Sequence, residues 1–254
     1  MTLLSLNGIT RRFGGLIAVD GVDLAVAKGG VTAVIGPNGA GKTTLFNIIS
    51  GFQAPNAGRI VFDGIDITGH PPEAIAAAGV VRTFQLVQLF QNLSVLENVK
   101  VGSHLHTTGG LWSAVLRLPR THAAERALEA RARELLAFVG LDAAADEEAN
   151  ALAYGQQRLL EIARSLAAGP RLLLLDEPAA GLSVEETRRL AAAIRTIAER
   201  GTTVLLIEHD MKLVMNTADT VAVLDFGRKI AEGPPETVRE DAAVIAAYLG
   251  TADA

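Results

Sequence analysis

Eight consecutive residues, Gly36-Pro37-Asn38-Gly39-Ala40-Gly41-Lys42-Thr43, fit the pattern GxxxxGK[ST], and each residue type has a physical use. Glycines let the backbone turn tightly, so that successive N–H groups face one concavity. That concavity, with the N-terminus of a following helix, holds phosphate oxygens. Lys42 supplies a cation near the β- and γ-phosphates of a nucleotide, and the Thr43 hydroxyl, next to Thr44, supplies a ligand for Mg²⁺. The flanking residues agree with this reading. The apolar run Val31–Ile35 reads as a strand entering the loop, and Lys42–Ser50 reads as a helix leaving it, stopped by Gly51.

A second apolar run, Leu172–Leu175, delivers Asp176 and Glu177. Ligand sites of parallel sheets lie at the carboxyl ends of the strands. Asp176 is therefore expected beside the phosphate loop, holding Mg²⁺ through water. Glu177 is expected to reach the water that attacks the γ-phosphate. A third run, Thr203–Glu208, delivers His209, placed to hydrogen-bond the γ-phosphate and that water. Taken singly, an Asp-Glu pair can cap a turn and a histidine can be structural. Their place in an ordered set with the phosphate loop gives the functional reading its weight.

These residues need a scaffold. Leu3–Ile9 and Val22–Val26 alternate apolar and polar residues around the Gly14-Gly15 break and read as strands. Short strands are expected near Arg59–Phe62 and Val80–Gln85. From about residue 95 to 165 the pattern turns helical. Leu128, Leu135, Phe138 and Val139 lie at helical spacing before a C-cap at Gly140, and Glu125, Arg126, Glu129, Arg133 and Glu134 lie on a solvated face. Gln156–Ala168 reads as a helix opened by Gly155, with Leu159, Ile162, Ala163 and Leu166 on one face. Beyond it, helices over Val184–Arg200, Met211–Ala218 and Asp241–Leu249 alternate with strands over Thr220–Asp225 and Lys229–Glu232. Strand–helix alternation predicts an α/β fold with a mainly parallel sheet, an N-terminal β part and an inserted helical sub-domain.

Composition narrows the function classes. The chain has 254 residues, of which 49% are hydrophobic and 20% charged, as expected of a folded core rather than a disordered chain. A net charge of −5 argues against a nucleic-acid partner. The absence of cysteine rules out disulfides, cysteine zinc sites and thiol nucleophiles. The N-terminus does not read as a secretory signal, and no apolar run approaches the ~18 residues of a membrane span. Work at a membrane would require other chains to hold this one there.

The order of motifs resembles the ATP-binding-cassette family. The resemblance runs the length of the chain and implies one cassette domain over 1–254, with a helical insertion at approximately 95–165. Gln85, in Thr83-Phe84-Gln85, looks like the family's glutamine loop and a Mg²⁺ ligand. Leu152-Ala153-Tyr154-Gly155-Gln156 stands where the LSGGQ signature belongs, with Ala153 and Tyr154 replacing serine and glycine. Tyr154, Gly155 and Gln156 would meet the γ-phosphate held by an opposite subunit. Gly181-Leu182-Ser183 resembles the loop after the catalytic acid. Phe13 is placed like the aromatic that stacks on adenine, with Val19 as its apolar neighbour. The implied ligands are ATP and Mg²⁺. The implied device is a homo- or heterodimer of ATPase chains that closes over two nucleotides.

A narrower likeness rests on Phe13–Val19, on Leu89–Val99, on the variant Tyr154-Gly155-Gln156-Gln157-Arg158, and on the tail Gly233-Pro234-Pro235-Glu236 to Ala247-Tyr248-Leu249-Gly250. These segments resemble the larger ATPase of bacterial branched-chain amino-acid importers. That family pairs it with a smaller ATPase and two transmembrane permeases, fed by a periplasmic binding protein, and places it peripherally on the cytoplasmic face of the inner membrane. Alternatives left open are another solute, lipopolysaccharide transport, or a soluble cassette ATPase. The segment 102–120, with His104, His106, Trp112 and Leu116, is expected to contact the permease or to be a structural loop, with a metal site the weakest of its readings.

Overall fold

The computed structural model describes residues 1–83, 87–103 and 119–249. The chain divides into two compact units, one formed by Met1–Gln85 with Arg171–Ala254 and the other by Leu86–Pro170. The expected helical insertion at 95–165 falls inside the second.

The first unit carries two sheets. Strands β1 (Thr2–Phe13), β2 (Leu16–Ala27), β4 (Ala57–Phe62) and β5 (Ile65–Asp66) form an antiparallel sheet in the order β2-β1-β4-β5. The other sheet contains β3 (Val31–Ile35), β6 (Val80–Arg82), β7 (Leu172–Asp176), β8 (Thr203–Ile207), β9 (Thr220–Asp225) and β10 (Arg228–Gly233), in the order β10-β9-β3-β8-β7-β6. Every pairing in it is parallel except β9–β10. All residues of β3, β7 and β8 are buried, as expected of parallel strands covered on both faces. Their continuous apolar runs made these strands readable.

β1 and β2 run longer than the alternation predicts. Gly8 and Gly21 take φ of 60° and 62°, and the β1–β2 register shifts between Leu6 and Ile9 and again between Ile9 and Arg11. Each irregularity resets the two-residue period, so the sequence signal stops while the strand continues.

The second unit is built on three helices, Val95–Gly102, Pro119–Val139 and Tyr154–Ala167. The first starts with a capping box in which the Ser94 side chain accepts from the Glu97 N–H and the Glu97 carboxylate accepts from the Ser94 N–H. The second ends at Gly140, whose φ of 74° fits the expected C-cap. The third begins two residues earlier than expected. Ala153 is its N-cap, and the Gln156 side chain accepts from the Ala153 N–H at 3.1 Å. Its buried face also differs from the apolar reading. Leu159 is only half-buried, whereas Arg158 and Glu161 are buried with Leu160, Ile162 and Ala163. Ionic pairing lets charged residues take core positions that hydrophobic periodicity assigns elsewhere. At Gly102 an added Cβ would lie 2.0 Å from the Arg164 carbonyl oxygen, so the first and third helices meet with no room for a side chain.

Candidate active site

The phosphate loop leaves β3 and enters the helix Lys42–Ile49 through Gly41, which has φ of 98°. Two of its glycines are sterically required. A Cβ at Gly36 would lie 2.0 Å from the Leu224 carbonyl oxygen, and one at Gly41 would lie 2.3 Å from that of Ala18. The Ala18 carbonyl also lies under Gly227, in the β9–β10 turn, where a Cβ would come within 2.8 Å of it. The Gly227 N–H donates to Ala40 at 3.0 Å, and its carbonyl accepts from the Asp20 N–H at 2.8 Å. Thus β2, the phosphate loop and the β9–β10 turn are interlocked through backbone alone.

Beside the loop lies a cavity of about 380 Å³, lined by Phe13, Leu16, Ile17, Ala18, Asn38–Thr44, Glu177 and Phe226. The Arg11 guanidinium lies 4.8 Å from the centre of the Phe13 ring, a cation–π contact that backs the aromatic. Val19, expected as its apolar neighbour, does not line the cavity. It is fully buried in the hydrophobic core. The residues before it, Ile17 and Ala18, take that place, because successive strand side chains face opposite ways and the register shifts between Arg11 and Arg12. Phe226 was not singled out from sequence. It is 84% exposed with φ of 41°, a conformation that favours Asn or Gly in such a turn.

Lys42 is buried, and its Nζ donates to the carbonyls of Gly36 at 2.7 Å and Pro37 at 2.9 Å. Burial pushes its pKa down, while Glu177 and Asp176 pull it up. Asp176 ends β7 and is buried, with Oδ2 accepting from Arg82 at 2.7 Å. Glu177, the next residue, has φ of 46°, a strained conformation of the kind that concentrates at functional sites. Its N–H donates to Ile207 at 3.0 Å. Nδ1 of His209 lies 3.9 Å from Oε2 of Glu177, so the acid and the histidine assigned from separate strands are neighbours.

The residue that organises both was missed. Glu208 is fully buried; its Oε1 accepts from the Ala179 N–H at 2.8 Å and its Oε2 from the N–H groups of His209 at 3.0 Å and Asp210 at 3.2 Å. One carboxylate therefore holds the loop after Glu177 and the loop carrying His209. Burial pushes its pKa up against these three hydrogen bonds. The only sequence signal was an acid at the end of an apolar strand.

The donors assembled here are hard oxygens, the Asp176 carboxylate and the Thr43 hydroxyl, which suit Mg²⁺. Among the described residues no group of three or more His, Cys, Asp or Glu side chains could hold a metal by itself. Mg²⁺ held mainly by nucleotide phosphates needs one or two protein oxygens of this kind. Gln85, the third expected ligand, lies outside the described residues, as do His104, His106, Trp112 and Leu116.

In the second unit, Tyr154 is 44% exposed, with the Arg158 guanidinium 5.5 Å from its ring centre. Gly155 is buried and Gln156 exposed.

Residues 19–180 match the family model described as ABC transporter. The chain belongs to the ABC transporter ATP-binding family, and it is an ATPase of that class. Within the class it falls with the branched-chain amino-acid group. Residues 228–254 match the model described as branched-chain amino acid ATP-binding cassette transporter. The chain is 48% identical to the high-affinity branched-chain amino acid transport ATP-binding protein BraF of Pseudomonas aeruginosa, with 98% of each chain covered. It is 46% identical to its counterpart LivG of Escherichia coli (strain K12), again with 98% of each covered. Among solved structures, the ADP conformation of an ATP-binding cassette of an ABC transporter superposes with a TM-score of 0.85 at 34% identity, covering 98% of this chain and 99% of that one. A nucleotide-free cassette superposes at 0.84 and 33% identity, with the same coverage. The predicted fold, a parallel core with an antiparallel β part and helices, is the cassette fold.

Proposed function

We propose that this chain is a single cassette domain that hydrolyses MgATP to power import of branched-chain amino acids, working as one of two ATPase subunits beneath two permeases fed by a periplasmic binding protein. Peripheral attachment to the cytoplasmic face of the inner membrane completes the reading. Among the described residues no helix is long and apolar enough to cross a membrane, so membrane work depends on partners. The solute is taken from the relatives' names and the matching C-terminal segment.

The observation that carries the catalytic part is the convergence on one cavity of Lys42, Thr43 and a strained Glu177, with His209 at 3.9 Å from that acid. In the proposed mechanism the adenine stacks on Phe13, and the phosphates take the backbone N–H groups of 38–43. Lys42 exchanges the Gly36 and Pro37 carbonyls for phosphate oxygens. Thr43, Asp176 and Gln85 would hold Mg²⁺, which when bound neutralises phosphate charge. Glu177 orients and polarises the attacking water, and His209 hydrogen-bonds the γ-phosphate. Tyr154, Gly155 and Gln156 present the signature helix N-terminus to the nucleotide of the other subunit, where an anion is favoured.

The test is recovery of the chain from its native membranes in mild detergent, followed by transport assays with reconstituted partners. Co-recovery of two permeases and a second ATPase, with ATP-dependent uptake of branched-chain amino acids, is the expected result. A chain recovered alone from the soluble fraction would overturn the transport assignment.

A further inference from the structure

Arg82 ends β6, the strand that leads into the glutamine loop. Its side chain is 7% exposed, and it reaches two segments, the end of β7 and the stretch from the phosphate-loop helix to Phe52. Nη2 donates to Oδ2 of Asp176 at 2.7 Å, while Nη1 donates to Oδ1 of Asn47 at 2.8 Å and to the Ser50 hydroxyl at 2.9 Å. The ring centres of Phe46 and Phe52 lie 5.8 and 5.9 Å from the guanidinium carbon. The guanidinium thus lies beside two aromatic rings, and its hydrogens are shared between a strand end and the helix of the phosphate loop.

We propose that Arg82 is a positioning residue for the Mg²⁺ site, holding the carboxylate of Asp176 against the helix that carries Thr43. Asp176 is gripped directly by one oxygen. Among the described residues Oδ1 accepts no hydrogen bond, so the grip leaves that oxygen for another ligand. Thr43 lies one helical turn before Asn47, on the same face of Lys42–Ile49. An Arg fork fixes orientation as well as charge, which a lysine ammonium does not. Groups behind metal ligands set the ligands' orientation, and losing them typically costs about 10- to 100-fold in metal affinity.

The inference rests on the reading of Asp176 as a Mg²⁺ ligand, and the experiment separates the two. Calorimetric titration of ADP binding at graded Mg²⁺ gives the Mg²⁺ half-saturation, and titration in EDTA gives the metal-free ADP affinity. Arg82→Met is expected to raise the half-saturation by about 10-fold or more while metal-free ADP binding holds. Arg82→Lys is expected to fall between that variant and the native chain. In an Asp176→Asn background Arg82→Met is expected to add nothing, because the side chain it positions is already disabled. A shifted Asp176→Asn beside a native-like Arg82→Met would overturn the role of Arg82 alone. A tighter Mg²⁺ half-saturation in Arg82→Met would also overturn it, by showing competition instead of positioning. Unshifted Asp176→Asn would overturn the metal reading itself. If Arg82→Met does not fold, Arg82→Lys carries the test, and native Mg²⁺ dependence in that variant overturns the proposal.

Discussion

Both units of this molecule bury charge, and they use it differently. In the first, Lys42, Asp176, Arg82 and Glu208 gather at the carboxyl ends of parallel strands, next to a cavity and a backbone of required glycines. In the second, Arg158 and Glu161 pair at 3.4 Å, with side chains only 3% and 2% exposed. Arg164 joins them from the same helix, and the Gln88 N–H reaches Oε1 of Glu161 at 3.5 Å, with the Gln88 carbonyl accepting from Arg164. Asn98 pins the preceding loop in the same manner, its amide donating to the carbonyls of Phe90, Leu93 and Ser94 and accepting from the Phe90 N–H. Buried charge alone therefore does not mark a reaction centre. Access to a cavity and strained backbone at an acid separate the first set from the second.

The sharpest way to break that contrast is Arg158→Met, which leaves Glu161 facing its other partners without its closest cation. A loss of about 3–5 kcal/mol in unfolding free energy is expected, with ADP affinity unchanged once the protein is held below its melting range. Urea titration and calorimetry check both; a specific loss of ADP binding would erase the distinction. Glu177→Gln should do the reverse. Steady-state hydrolysis should fall by at least about 100-fold with unfolding midpoint preserved, and a closed, ATP-bound dimer should accumulate on size exclusion. Wild-type turnover in that variant would remove Glu177 from the mechanism.

Glu177→Gly sharpens the point about strain. It should abolish hydrolysis yet stabilise the fold by about 1 kcal/mol, since glycine accepts φ of 46° without cost. Denaturant titration against Glu177→Gln isolates the backbone contribution. The smallest effect concerns pH. Burial holds the Glu208 pKa above the ordinary glutamate range. Its contribution to stability is thus complete below that range and is lost as pH rises through the folded-state value. In Glu208→Gln that part of the pH dependence, at most about 1.4 kcal/mol per pH unit, should vanish from urea curves recorded upward from pH 4.

What could be read beforehand follows the range of the forces involved. The phosphate loop, Asp176, Glu177 and His209 were legible because short segments encode them, namely a glycine-rich turn or the end of an apolar strand. The cassette core was legible for the same reason, since β3, β7 and β8 are short, mainly apolar runs that are wholly buried. Arg82 and Glu208 were not legible, because each joins a distant segment, Asp176 at 94 residues and Ala179 at 29, and the acid at a strand end that marks Glu208 does not name that partner. Val19 was misplaced because one residue in a strand decides the face, and an irregular register intervenes. The helix at Tyr154 was misread because its buried face includes an ion pair that apolar periodicity passes over.

The Ala18 carbonyl, wedged under both Gly41 and Gly227, has a consequence for mutational tolerance. Position 41 belongs to a recognised motif and position 227 to a surface hairpin, yet a single methyl at either would strike the same oxygen. In a saturation library scored for nucleotide binding, position 227 should therefore be as depleted as position 41, and a map of intolerant sites would draw the nucleotide loop as extending into a turn 186 residues further along the chain.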